Sequence, residues 1–152
     1  MREAKARGLL IAINPAPCGQ EVADYPLELA DVLFVNEIEA AQLSGSEGSP
    51  DAVLDILTAR YPQSEIVMTL GGDGACYAKG ADRFHVPSPD VKVVDTTSAG
   101  DTFSGYYLAA KLRGFSPERT MEFAALAGSI AVSRAGAAVS IPSAEEVFGN
   151  AQ

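Results

Sequence analysis

The sequence predicts an α/β fold, a three-layer α/β/α sandwich in which helices cover both faces of a mainly parallel sheet. Three short segments, residues 9–14, 31–36 and 65–70, are built on continuous apolar runs, which is typical of strands buried on both faces. Segments with helical patterning separate these runs, and strands that alternate with helices favour parallel pairing. We expect one domain over residues 1–152, with any ligand site at the carboxyl ends of the strands.

Capping residues and loop formers mark the boundaries in the first part of the chain. Residues 2–7 are typical of the last turns of a helix, which ends at Gly8. The prolines and glycine within residues 14–19 predict a loop. Ser49 and Pro50 are a cap followed by a first-turn proline, so another helix begins there.

The segment after the second apolar run carries a capping residue and two carboxylates. Asn36 can cap a short helix, Glu39 occupies the capping-box position and Gly45 can end the helix. Glu37 and Glu39 point to different faces of that helix, so they do not form an acid–base pair. The segment therefore has two interpretations: a capping box alone, or a carboxylate that positions Mg²⁺ through water.

A glycine-rich turn and a hairpin open the second part of the chain. Gly-Gly-Asp-Gly at residues 71–74 follows the third apolar run, and such a cluster usually marks a tight turn. Residues 75–86 predict a hairpin of two strands, in which His85 fits a packed or edge position better than a catalytic one. The same signals predict helices over 100–112 ending at Gly114, over 116–134 broken at Gly136, and a last short helix behind a capping box of Ser143 and Glu146.

Composition and charge exclude several classes of partner. The chain has 152 residues and a formal net charge of −9, which disfavours binding to nucleic acid and to anionic membranes. No apolar run is long enough to span a bilayer. Cys18 and Cys76 are too few for a disulfide scaffold, and neither lies at a metal-ligand spacing. We therefore expect a cytoplasmic protein with reduced thiols.

The segment Asp-Thr-Thr-Ser-Ala-Gly-Asp at residues 95–101 is the strongest candidate site. It stands where a helical pattern begins, and a helix N-terminus exposes unpaired amides that carry partial positive charge. Small residues let a phosphate group approach those amides closely. An aspartate is ionised at neutral pH, so Asp101 could accept the proton of an attacking alcohol. The alternative is that Asp101 or Ser98 only caps the helix, since both residue types are preferred caps.

Two common nucleotide-binding patterns do not fit the sequence. The loop contains no Gly-Lys-Ser/Thr, so it is not a Walker A motif. No Gly-x-Gly-x-x-Gly opens a helix after the first apolar run, which disfavours a dinucleotide-dependent dehydrogenase.

Several motifs together resemble the C-terminal half of ribokinase-like sugar kinases, also called the phosphofructokinase-B-type family. Residues 95–105, DTTSAGDTFSG, resemble the family signature that supplies an anion hole and a catalytic base. Residues 35–45, VNEIEAAQLSG, and 67–75, VMTLGGDGA, are similar to two further family segments. Residues 131–147 match the end of the family sequence, and INPAP at 13–17 is similar to its ribokinase branch. The resemblance covers nearly the whole chain.

The resemblance implies transfer of the γ-phosphate of ATP to a sugar hydroxyl, with Mg²⁺ and a monovalent cation, K⁺, as cofactors. It implies that Asp101 is the general base and that the anion hole consists of the amides of Ser98, Ala99, Gly100 and Asp101. The family pattern has glycine or alanine where this chain has Ser98. The positions implied near Mg²⁺ and the nucleotide are Asn36, Glu39 (through water), Thr69, Gly71 and Gly74. The implied ligands of the monovalent cation are Asp95, Thr97, Ala131, Gly136 and Ser140.

The same resemblance implies that this chain is the nucleotide half of a kinase. The sugar-contacting residues and the lid of the family belong to an N-terminal half that we do not find in this sequence. We expect ribose as the acceptor, through its 5-hydroxyl, with fructose and 2-keto-3-deoxygluconate as alternatives, and a homodimer for the full-length form. Two other hypotheses stay open: a non-catalytic nucleotide-binding fragment, and a vitamin-type kinase that acts on a hydroxymethyl heterocycle.

Overall fold

A computed structural model of the chain describes residues 1–16, 18, 22 and 25–149. The predicted loop over residues 14–19 therefore lies partly outside the described residues, at positions 17 and 19. The helices are α1 Arg2–Ala6, α2 Glu37–Ser44, α3 Pro50–Arg60, α4 Ala99–Leu112, α5 Pro117–Val132 and α6 Ala144–Phe148. The strands are β1 Ala12–Ile13, β2 Val32–Asn36, β3 Glu65–Thr69, β4 Ala75–Lys79 and β5 Asp82–Val86. Short 3-10 turns occupy Leu27–Leu29, Gly71–Asp73 and Ala138–Ser140.

The chain divides into two compact units. The first comprises Met1–Gly71 and Cys76–His85 and contains α1 to α3 together with nearly all of the sheet. The second comprises Gly72–Ala75 and the described residues from Val86 onward, and it contains α4 to α6. The expectation of one domain over residues 1–152 stays a prediction.

The five strands of the described residues form one sheet in the order β1-β2-β3-β4-β5. β1, β2 and β3 are parallel, and β2 pairs with β3 along its whole length, from Val32 opposite Glu65 to Asn36 opposite Thr69. All but the last residue of each of these two longer strands is buried, as continuous apolar runs predict. The predicted hairpin is confirmed as β4 and β5, so the sheet combines parallel strands with a hairpin.

β1 differs from the prediction. The sequence predicts a strand over residues 9–14 that is buried on both faces, but β1 contains only two residues, and both are half-buried. Leu9 is 57% exposed and Leu10 is 41% exposed. The physical reason is position: among the described strands β1 has β2 as its sole neighbour, so one edge of β1 lacks a partner that could extend and cover it.

The predicted helix ends are confirmed by their hydrogen bonds. Both halves of the α2 capping box are present, since the side chain of Asn36 accepts the N–H of Glu39 at 2.8 Å and the side chain of Glu39 accepts the N–H of Asn36 at 2.9 Å. Gly45 ends α2 in the left-handed conformation, with φ 73°. The serines that cap α3, α5 and α6 also accept backbone N–H groups, namely Ser49, Ser116 and Ser143.

Aromatic packing holds the helices of the second unit together. Phe123 of α5 and Phe148 of α6 meet edge to face, with ring centroids 4.9 Å apart. Tyr106 of α4 lies against Phe148 at 5.4 Å, and its hydroxyl donates to the carbonyl oxygen of Pro142 at 2.5 Å. These contacts fix α4 relative to α5 and α6, and thereby fix the N-terminal turn of α4. Within the described residues, no helix combines the length and apolar character needed to cross a membrane.

Candidate functional site

Asp95 joins two segments that lie 41 residues apart in the chain. One carboxylate oxygen accepts the backbone N–H of Thr97 at 2.9 Å, and the other accepts the backbone N–H of Gly136 at 3.0 Å. Hydrogen bonds from the Thr97 side chain and backbone, and from the Gly136 backbone, hold the pKa of Asp95 below its ordinary value because they favour the charged carboxylate. Gly136 adopts φ 94°, a conformation that favours glycine.

Ser98 occupies the cap position of α4 without capping the helix. Its side chain makes no hydrogen bond to the first turn of α4, so the interpretation of Ser98 as a simple side-chain cap is wrong. The hydroxyl points instead to the segment that contains Gly136: it lies 3.3 Å from the carbonyl oxygen of Ala137 and 3.4 Å from the hydroxyl of Ser140. Hydrogen bonds of the Asp95 and Ser98 side chains therefore connect the α4 entry loop (residues 95–98) to the 136–140 turn.

Among the residues that the structure describes, no side chain accepts a hydrogen bond from the backbone N–H groups in the first turn of α4. The N–H of Ala99 donates to the carbonyl oxygen of Thr96 at 3.3 Å, and the N–H of Thr102 donates to that of Ser98 at 2.8 Å. Across the described part of the chain, the structure records no hydrogen-bond partner for the N–H of Gly100 or of Asp101. The side chain of Asp101 lies exposed in the same turn. Such a turn can bind an anion through its amides and place a proton acceptor beside that anion.

The predicted nucleotide-side residues of the first unit cluster at one edge of the sheet. Asn36 and Thr69 are register partners at the carboxyl ends of β2 and β3, and Gly71 follows two residues after Thr69. This juxtaposition confirms that the ends of these two parallel strands bring their polar residues together. The Glu39 carboxylate is buried, and its Oε2 accepts the N–H of Asn36, so the predicted capping box is present and uses one of the two carboxylate oxygens.

The glycine-rich turn at residues 71–74 has the tight geometry that the sequence predicts. Gly71–Asp73 form a 3-10 turn, and Gly71 and Gly74 adopt φ 56° and 98°. A Cβ atom on Gly74 would lie 2.1 Å from the carbonyl oxygen of Val86, whereas a Cβ atom on Gly71 or Gly72 would meet nothing within 4 Å. The requirement for glycine at position 74 is therefore steric.

The positions implied as monovalent-cation ligands are partly brought together. Asp95, Thr97 and Gly136 are joined directly by hydrogen bonds, and Ser140 belongs to the 136–140 turn, where its hydroxyl donates to Ala137 at 2.6 Å. The carbonyl oxygen of Ala131 accepts the N–H of Arg134 at 3.2 Å and makes no recorded bond to the other four positions. Carboxylate, hydroxyl and carbonyl oxygens are the donors that hard cations prefer, so the residue types fit such an ion. In the part of the chain that the structure describes, no three or more His, Cys, Asp or Glu side chains form a metal-binding group.

Two features of this site are not predicted by the sequence: the direction of the Ser98 hydroxyl and the acceptor role of the Ala137 carbonyl oxygen. The two partners of the Ser98 hydroxyl, Ala137 and Ser140, lie 39 and 42 residues away from it in the chain, and no local pattern encodes such a contact. The sequence carries one indication that position 98 is special: the pattern of the resembled family has glycine or alanine where this chain has Ser98.

The chain matches the family model described as pfkB family carbohydrate kinase over residues 2–144. Among curated relatives, it is 35% identical to the ribokinase of Haemophilus influenzae over 95% of this chain and 48% of that protein. It is 32% identical to fructokinase-1 of Oryza sativa subsp. japonica over 97% of this chain and 50% of that protein. These relatives are therefore matched over about half of their own length.

Solved structures give the same result for the fold. The ribokinase of Thermotoga maritima is similar with a TM-score of 0.83 and 31% identity, over 95% of this chain and 50% of its own. The ribokinase of Arabidopsis thaliana, solved with ribose and ATP, is similar with a TM-score of 0.82 and 27% identity, over 97% of this chain and 49% of its own. The predicted α/β fold class and the resemblance drawn from the motifs are confirmed.

Proposed function

Because the chain belongs to the pfkB family of carbohydrate kinases, we propose that it carries the phosphate-binding and proton-accepting part of an ATP-dependent sugar kinase, with Asp101 as the general base. The observation that supports this proposal most strongly is the first turn of α4. Its amides at Gly100 and Asp101 have no recorded partner, its cap residue is turned away, and its one carboxylate is exposed beside them.

The proposed reaction is in-line transfer of a phosphoryl group. A sugar hydroxyl oxygen attacks the γ-phosphorus of ATP, the new O–P bond forms, and the bond to the β–γ bridging oxygen breaks to release ADP. The Asp101 carboxylate takes the proton of the attacking hydroxyl. The amides of Gly100 and Asp101, with those of Ser98 and Ala99 that the resemblance also implies, would stabilise the negative charge on the oxygens of the transferred group, helped by the partial positive charge at the N-terminus of α4.

The cofactors that we propose, Mg²⁺ and K⁺, are those that the resemblance implies, and oxygen donors are the ligand type that both ions prefer. Glu39 would hold Mg²⁺ through water with the carboxylate oxygen that the capping box does not use, and the ion would neutralise charge on the phosphates. A monovalent cation, K⁺, would be held by the oxygens of Asp95, Thr97, Ala131, Gly136 and Ser140. Asn36, Thr69, Gly71 and Gly74 would line the nucleotide side.

Two alternatives are supported by particular observations. The likeness to a fructokinase keeps fructose beside ribose as the acceptor, and 2-keto-3-deoxygluconate is a further alternative within the family. A second function is non-catalytic nucleotide binding, because the open amides of the α4 turn would bind phosphate whether or not a sugar is turned over.

The test combines binding with turnover on the chain as it stands. Isothermal titration calorimetry measures the affinity for ATP with Mg²⁺, and a coupled assay measures ADP release with ribose, with fructose and without sugar. We expect Asp101→Asn to lower sugar-dependent ADP release by about 10² to 10⁴-fold, the usual contribution of a general base, with ATP affinity nearly unchanged. Glu118→Gln is the matched control, because Glu118 is an exposed carboxylate in the first turn of α5.

The outcomes separate the proposals. Sugar-dependent turnover that Asp101→Asn abolishes supports the kinase, and the better sugar identifies the acceptor. ATP binding without any turnover favours the non-catalytic fragment. Absence of ATP binding, or turnover that survives Asp101→Asn, contradicts the proposed roles of the α4 turn and of Asp101.

A further inference from the structure

Ser98 has an unusual backbone conformation for a helix cap. Its φ and ψ are 64° and 5°, and it is the one non-glycine residue with positive φ in the described part of the chain. A serine at a cap position normally has extended backbone angles, from which its side-chain oxygen accepts the N–H of the second or third helical residue. Those residues in α4 are Gly100 and Asp101, the two whose amides have no recorded partner.

The 136–140 turn supplies the groups that hold the Ser98 hydroxyl elsewhere. The Ser140 hydroxyl is fully buried and donates its single proton to the carbonyl oxygen of Ala137 at 2.6 Å. Ser140 can then only accept from Ser98, so Ser98 donates its proton toward Ala137 and Ser140 at 3.3 and 3.4 Å. The hydrogen bond from the N–H of Gly136 to the carboxylate of Asp95 holds the entry loop against this turn.

We propose that Ser140 is a positioning residue which keeps the Ser98 hydroxyl from capping α4, so that the amides of Gly100 and Asp101 stay open to phosphate oxygens. Serine at position 98 would otherwise compete for the amides that a phosphate needs. This inference rests on the proposed function, because it assumes that these amides bind phosphate. The two hydroxyls in contact then have opposite roles: that of Ser98 competes with phosphate for the amides, and that of Ser140 keeps it away from them.

The test is a double-mutant cycle on the whole chain, measured as affinity for ATP with Mg²⁺ in buffer free of K⁺, so that loss of Ser140 as a proposed cation ligand does not contribute. We expect Ser140→Ala to weaken ATP binding by about fivefold, which is the affinity equivalent of a typical N-cap hydrogen bond that now competes. In the Ser98→Ala background, Ser140→Ala should change the affinity for ATP by less than about twofold, because no hydroxyl remains there to compete for the amides. AMP, which lacks the β- and γ-phosphates, is the control ligand, and its affinity should not change.

A merely structural role for Ser140 predicts a different pattern. In that case Ser140→Ala weakens ATP binding by the same factor whether residue 98 is serine or alanine, and this result overturns the inference, as does Ser140→Ala binding ATP normally. If Ser140→Ala does not fold, Ser140→Cys keeps the size of the buried side chain with a weaker acceptor and carries the same expectation. Failure of the unsubstituted chain to bind ATP contradicts the proposed function itself, which distinguishes that failure from failure of the inference.

Discussion

The three glycines of the turn after β3 give a prediction whose magnitude follows from geometry. Replacement of Gly74 by alanine combines two penalties: a left-handed backbone at φ 98° and a Cβ atom 2.1 Å from the carbonyl oxygen of Val86. The first costs about 1 to 2 kcal/mol and the second, as overpacking, about 1 to 3 kcal/mol. We expect Gly74→Ala to lower the free energy of unfolding by about 2 to 5 kcal/mol, a large share of the roughly 5 to 15 kcal/mol that a domain has.

The neighbouring glycines are matched controls for each penalty. Gly71 has φ 56°, and a Cβ atom added to it would meet nothing within 4 Å, so Gly71→Ala carries the backbone penalty alone, about 1 kcal/mol. Gly72 carries neither penalty, so Gly72→Ala should stay within about 0.5 kcal/mol of the unsubstituted chain or stabilise it slightly.

Urea titration followed by far-UV circular dichroism measures all three variants. The chain contains no tryptophan, so backbone ellipticity is a better signal than fluorescence. The midpoints should fall in the order Gly72→Ala, Gly71→Ala, Gly74→Ala, with similar slopes. If Gly74→Ala unfolds at the same urea concentration as Gly71→Ala, the steric explanation of Gly74 is refuted.

Three further predictions concern the second unit. The pKa of Glu146 falls from 4.5 to about 2, chiefly because Arg134 hydrogen-bonds its carboxylate, so the stability it contributes is present above pH 4.5 and is lost as the pH falls through about 2. Thermal melts across that pH range should show a smaller fall in melting temperature on acidification for Glu146→Gln than for the unsubstituted chain. Equal falls in the two proteins would contradict this assignment. Gly105→Ala should raise the free energy of unfolding by about 0.5 to 1 kcal/mol, because Gly105 lies inside α4 with open space at its Cβ position, and a lower urea midpoint would exclude that explanation. Tyr106→Phe should cost about 1 kcal/mol, since it keeps the ring against α6 and removes the hydrogen bond to Pro142, and an unchanged urea midpoint would show that this bond contributes nothing.

Local signals predicted most of the secondary structure. The boundaries at Asn36, Ser49, Ser116 and Ser143 are set by side chains that bond amides three residues ahead, so a short stretch of sequence is enough to place them. β1 is the exception, because the length of a strand depends on its neighbours in the sheet as well as on its own apolar residues.

The sequence by itself determined the helix caps, the positions of β2 and β3, the small residues of the entry loop and the carboxylate at Asp101, since these depend on residues close together in the chain. Only the tertiary structure decided that Ser98 does not cap α4 and that Gly74 cannot be replaced without a clash. It also decided that Asp95 bonds Gly136. Each of these outcomes depends on a contact with a residue brought near by folding, at a distance and direction that the pattern of neighbouring residues does not specify.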